Sequence, residues 1–182
     1  VGDVDWVTSD ITVSTVPEQT PIAPGSRVSD EIVDGRRVAR FVARSPILAF
    51  FSVQSANYEV RTRTADGVDM EFYLHPDHAY NVDRMLDATE QSLAYYKANF
   101  GPYQFDYARI IEFPAYASFA QAFAGTVPYS ETLGFIADVR NPDSIDYVTY
   151  VTAHEFGHQY WAHQLISADQ QGGTMLVESM AQ

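Results

Sequence analysis

The residues able to do chemistry are concentrated between positions 154 and 178. His154-Glu155-Phe156-Gly157-His158 sets two imidazoles four residues apart, with a carboxylate next to the first. On a helix, positions four apart lie about 40° from each other and one turn apart, so both rings face the same point. Two imidazole nitrogens so placed can share one Zn2+ at bonds of about 2.0–2.1 Å. Glu155 falls about 100° round from His154, beside the ion rather than on it. A carboxylate there can hold a water and accept its proton. Gly157 removes a side chain next to the second histidine and leaves room for another strand or a substrate to approach.

Two histidines leave a zinc tetrahedron incomplete, because a catalytic zinc takes a third protein ligand and keeps one position open. The candidates are His163, Asp169 and Glu178. His163 lies about 140° round from His158 and points away for as long as the helix stays regular. Asp169 sits in a loop and stays open as an alternative. Glu178 follows the break at Gly172-Gly173 on a second helix, which a short loop can fold antiparallel against the first, and it is preferred. Three of the five histidines fall in this stretch. The neighbours Val151, Phe156, Tyr160 and Trp161 predict a mostly buried helix, where a histidine pair beside a glutamate is costly unless paired or metallated. One Zn2+ on His154, His158 and Glu178 is therefore expected, with Glu155 as the catalytic base. His75 and His78, in Leu74-His75-Pro76-Asp77-His78, read instead as part of an exposed turn.

The elements that must position these residues are legible in outline. Residues 1 to about 65 read as strands. Trp6 to Ser14 and Arg37 to Ala43 alternate β-branched and polar residues, Ile47 to Val53 is a continuous apolar run, and Pro17 to Ser29 reads as a loop. Ala65-Asp66-Gly67 is the turn of a hairpin joining Tyr58–Thr64 to Val68–His75. Asn81 caps a helix running through Met85, Leu86, Leu93 and Tyr96 to Phe100, where Gly101-Pro102 stops it. Tyr107 to Phe113 is a strand, and residues 115–138 are mixed strand and loop. Asn141-Pro142-Asp143 starts the histidine-bearing helix, which is expected to run to about Ile166. Thr174 caps the helix that carries Glu178. The class is α+β, with residues 1–65 as the C-terminal part of a β-rich domain and 66–182 as a second domain.

Bulk properties narrow the partners. The 182 residues are 46% hydrophobic and 19% charged, a globular composition. A formal net charge of −13 argues against nucleic acid. The lack of cysteine excludes disulfides and thiolate zinc sites, and no apolar run is long enough to span a bilayer. The opening Val1-Gly2-Asp3-Val4-Asp5, without an initiator Met, and an ending inside a helix read as a piece of a longer protein.

His154-Glu155-Phe156-Gly157-His158-Gln159-Tyr160-Trp161, followed after 19 residues by Glu178, resembles the zinc helix of gluzincin metallopeptidases of the aminopeptidase-N type, with one residue more than the family spacing. Asp66-Gly67-Val68, Leu93–Phe100 with Gly101-Pro102-Tyr103, and Gly125-Thr126-Val127-Pro128-Tyr129-Ser130-Glu131 are similar to the approach to that helix. The resemblance implies the N-terminal part of a thermolysin-like catalytic domain, truncated at its C-terminal end and preceded by the end of a β domain. It also implies one Zn2+, a peptide substrate and aminopeptidase-like hydrolysis. The nearest look is that of bacterial versions joined to ABC-type transporter permeases, which implies a membrane-anchored parent and an extracytoplasmic domain. Two departures matter. The family's Gly-Ala-Met-Glu-Asn, whose Glu binds the substrate amino group, corresponds to Phe119-Ala120-Gln121-Ala122-Phe123. That places Gln121, Ala122 and Phe123 at the substrate, with Ala122 in place of the anchoring carboxylate. The family's transition-state Tyr lies beyond the third ligand and has no counterpart before Gln182. The alternative expectation is a catalytically idle, zinc-stabilised binding or assembly domain of a membrane transporter.

Overall fold

A computed structural model describes residues 5–182; the first positions of the expected β region lie outside the described residues. The first half is a set of short antiparallel pairings. Strands β1 (Trp6–Val7) and β6 (Ile47–Leu48) pair with each other. Strands β2 (Asp10–Thr15), β5 (Arg36–Val42) and β4 (Ser26–Val33) form a sheet in that order, and β3 (Thr20–Ile22) pairs with β7 (Gln54–Ala56). Two expectations are corrected. Pro17 to Ser29 is not one loop, since it holds β3 and the start of β4. The apolar run Ile47 to Val53 is a strand only at Ile47 and Leu48, which are buried, while Phe51 and Val53 are exposed. The chain leaves the sheet there, and the Phe50 ring packs edge-on against Phe123, 4.8 Å between centroids.

The second half is built on a four-stranded sheet in the order β11-β10-β9-β8, comprising β8 (Glu59–Ala65), β9 (Val68–Leu74), β10 (Tyr107–Phe113) and β11 (Thr126–Ser130). Strands β8 and β9 form the expected hairpin, with positive φ at Asp66 (50°) and Gly67 (76°), as a two-residue turn between twisted strands requires. The hairpin crosses the expected boundary at 65, so this sheet begins at Glu59. Strands β9, β10 and β11 are parallel, and parallel neighbours need a crossover. Helix α1 (Val82–Phe100) supplies the first one and lays Met85, Leu86, Leu93 and Tyr96 into the main core. Asn81 stands at its N-cap position, yet its side chain donates to the Gly134 and Ala137 carbonyls (2.7 and 2.9 Å) rather than to the helix.

Residues 119–123 lie antiparallel along the free edge of β11, with Gln121 N–H donating to Pro128 O (3.1 Å) and Phe123 N–H to Thr126 O (2.8 Å). Helix α2 (Tyr147–Gly157) packs beside α1, and α3 (Gly173–Met180) closes the described chain. Asn141-Pro142-Asp143 does not start α2. The Asn141 side chain accepts from Asp143 N–H (3.0 Å) and its carbonyl from Ser144 N–H (3.2 Å), which makes a separate turn. Asp146 is the cap, accepting from Thr149 N–H at 3.1 Å. The helix also ends at Gly157 rather than near Ile166. Thr174 is not the cap of α3; Gly172, left-handed at φ 90°, holds that place. The architecture is mixed α+β. Among the described residues no helix is long and apolar enough to cross a membrane.

Candidate metal centre

The end of α2 and the middle of α3 bring three ligand-type atoms together. His154 Nε2 and His158 Nε2 stand 3.1 Å apart, and Glu178 Oε2 is 3.3 Å from the first and 3.5 Å from the second. In a tetrahedral zinc site with bonds of about 2.0–2.1 Å, ligand atoms are separated by about 3.3 Å. The triangle has those dimensions, so the residues fit a zinc ion. The same spacing is also that of a hydrogen bond between the two ring nitrogens, or from one of them to Glu178.

The ring protonation supports the use as a zinc site. His158 Nδ1 lies 3.1 Å from the Trp161 carbonyl, which can only accept, so the neutral ring carries its proton on Nδ1 and turns the Nε2 lone pair to the triangle. Burial, and then the neighbouring His158, push the His154 pKa down, with Glu178 and the Ala181 carbonyl opposing. A neutral imidazole is the form that binds metal.

Glu155 is not part of the triangle and is 7% exposed. Burial pushes its carboxyl up to about 7, against the Ala122 backbone amide, while the Glu178 charge adds to the rise. A carboxyl in that range can take and return a proton near neutrality, and a bound cation nearby would draw it back down.

The sequence placed His163 facing away, on the premise of a regular helix. Because α2 stops at Gly157, the chain turns and buries His163 (3% exposed) under the edge segment. Its Nε2 donates to the Ala122 carbonyl at 2.9 Å, and its Nδ1 is buried without a hydrogen-bond partner among the described residues. Burial lowers the pKa of this ring as well. A cleft of about 100 Å³ opens here, lined by Phe50, Gln121, Ala122, His163 and the two groups His158 and Glu178. Gln121 is half-buried, its amide 3.2 Å from the Ala122 carbonyl, and Phe123 packs on Phe50. Asp169 is exposed in the loop and outside the triangle. His163 was the residue hidden from sequence reasoning, since its place depends on where α2 ends. The only signal was its position in a histidine-rich stretch.

The sequence matches no protein-family model and no curated protein.

Proposed function

We propose that this chain is a thermolysin-like zinc peptidase domain of the gluzincin type, hydrolysing peptide bonds with Glu155 as general base. The observation that carries the proposal is the triangle of His154, His158 and Glu178 at zinc-ligand spacing, with the buried Glu155 carboxyl alongside. These three residues would hold the ion. When bound, Zn2+ supplies Lewis-acid polarisation of the scissile carbonyl and acidification of the attacking water. Glu155 takes the water's proton and later delivers it to the leaving amine. The edge segment 119–123 aligns an extended peptide by strand addition. The cleft beside the triangle is lined by a single carboxylate, Glu178, and Ala122 stands where an amino-terminus anchor would be. Cleavage is therefore proposed not to depend on a free amino terminus.

A specific observation favours one rival. Ala122 in the anchor position suits a catalytically idle, zinc-stabilised domain of a membrane transporter. Both readings give one zinc lost in His154→Ala, but only the enzyme gives turnover. We expect Glu155→Gln to retain zinc and lose about 10²–10⁴-fold in peptide hydrolysis, measured with amino-terminally free and blocked peptides. Unchanged hydrolysis in Glu155→Gln would sink the mechanism, and zinc without hydrolysis in the wild type would favour the idle domain.

A further inference from the structure

We infer a second divalent-cation site, formed by His78, Glu112 and Glu131, that shares no residue with the centre on α2 and α3. His78 lies in the 3-10 turn Pro76–Asn81 before α1, Glu112 near the end of β10, and Glu131 directly after β11. His78 Nδ1 touches Glu112 Oε1 and stands 3.7 Å from Glu131 Oε2, and one ligand atom from each residue falls within 4.8 Å of the others. An imidazole with two carboxylates is a donor set for a first-row divalent ion such as Zn2+ or Mn2+.

Charge is what favours a cation over a plain hydrogen-bonded cluster. Glu112 is 5% exposed and, among the described residues, no arginine or lysine pairs with it. Its oxygens meet the His75 backbone N–H (2.6 Å) and the His78 ring. Glu131 uses one oxygen to accept from Ala115 N–H (2.9 Å) and turns the other towards His78. Two carboxylates around one imidazole leave one uncompensated negative charge even when His78 is protonated. A divalent ion in place of that proton brings the group to neutrality, and a buried charge is costly until it is compensated.

Access and room are also present. A cleft of about 480 Å³, lined by His75, Glu112, Glu131, Tyr58 and Tyr116, opens beside the cluster, giving an entry path and space for the waters that complete coordination. The linings of the two clefts have no residue in common. An ion here joins the approach to α1 and the ends of two parallel strands. It also steadies the start of the edge segment, because the Phe119 carbonyl accepts from Ser130 N–H at 3.0 Å, next to Glu131. Its role is structural, and it holds whether or not the α2–α3 centre is catalytic.

The test is a Zn2+ titration of chelator-stripped protein with metal counted per chain. Two ions are expected in the wild type, one in Glu131→Gln, one in His154→Ala and none in the double variant. Glu131 is partly exposed, so its amide variant should keep the fold, which circular dichroism verifies. In the His154→Ala background, excess Zn2+ should raise the melting temperature by about 5 °C, and adding Glu131→Gln should abolish the rise. A wild type that binds one ion, lost in His154→Ala but kept in Glu131→Gln, overturns the second site. One ion lost only in Glu131→Gln supports this site and removes the first.

Discussion

Gly157 stands directly against the end of α3. A Cβ there would stand 2.7 Å from the Tyr96 hydroxyl, 2.9 Å from Ala181 Cα and 3.0 Å from the Ala181 carbonyl oxygen. Two of those three atoms are backbone, so relief requires α2 and α3 to separate there, which displaces Glu178 relative to the two histidines. Gly157→Ala should cost about 1–3 kcal/mol of stability through overpacking and weaken the proposed zinc binding by about tenfold or more. Urea melts and a Zn2+ titration check the two effects, and unchanged affinity would mean that α3 is not pinned at this contact. At this scale the sequence was informative. The 3.6-residue period puts both rings on one face; the glycine beside the second histidine points to a close approach by a strand or a substrate, where the structure places the end of a helix. What it withheld was His163, whose direction follows from a helix ending that no residue before it announces.

Helix α2 owes its start to Asp146 rather than to the proline five residues before Tyr147. The Asp146 carboxylate accepts from Thr149 N–H and from the Thr149 hydroxyl (3.1 and 2.8 Å) and meets Arg84 of α1. Burial pushes this carboxyl up, but the Thr149 amide and hydroxyl and the Arg84 guanidinium outweigh it and leave the pKa lowered. Asp146→Ala should lower stability by about 1 kcal/mol, the usual worth of an N-cap, read as a shift in denaturant midpoint. No shift would show the helix to be held by packing alone. Element boundaries were the least legible part of the fold. Asn141-Pro142-Asp143 carries the chemistry of a helix start, yet the same Asn side chain closes an Asx turn just as well. Only the packing of Val148 and Val151 into the core decides between the two. The run from Ile47 to Val53 misled for a related reason, because apolar composition does not reveal where a chain leaves its sheet.

Across the whole molecule, Arg109 ties the first half to the second. It is 1% exposed on β10, donates to Glu71 of β9 (2.8 Å) and to the Gly25 carbonyl (2.9 Å), and lies over the Tyr107 ring at 4.1 Å. Arg109→Ala would leave the Glu71 carboxylate with the more distant Arg27 (3.8 Å) as its cation and should cost about 3 kcal/mol. Burial pushes Glu71 up, but the Arg109 guanidinium and the Tyr73 hydroxyl outweigh it, so its pKa stands below the ordinary value in the fold. A folded-state pKa below the unfolded one gives stability that is full above the ordinary glutamate range of about 4.3 and is lost as pH falls through the lower value. Melting temperatures between pH 6 and 3 should fall less steeply in Glu71→Gln than in the wild type; identical slopes would remove Glu71 from the acid response. None of this was visible in sequence, where Arg109 is one of two charges, with Glu112, inside an otherwise apolar strand. The strand itself, Tyr107 to Phe113, is legible because burial on both faces leaves apolar residues at five of its seven positions.

The edge segment has a last consequence for the proposed reaction. The outward carbonyl of Ala122 already accepts from His163, and its amide already faces Glu155. A peptide laid along this edge would therefore exchange internal hydrogen bonds for external ones. Such an exchange yields little net free energy, because the free state is not wanting partners. Backbone pairing would then set the alignment of the chain to be cut, while affinity would have to come from side chains seated in the cleft between Phe50 and α3. The protein would distinguish peptides by what they carry next to the scissile bond more than by their length.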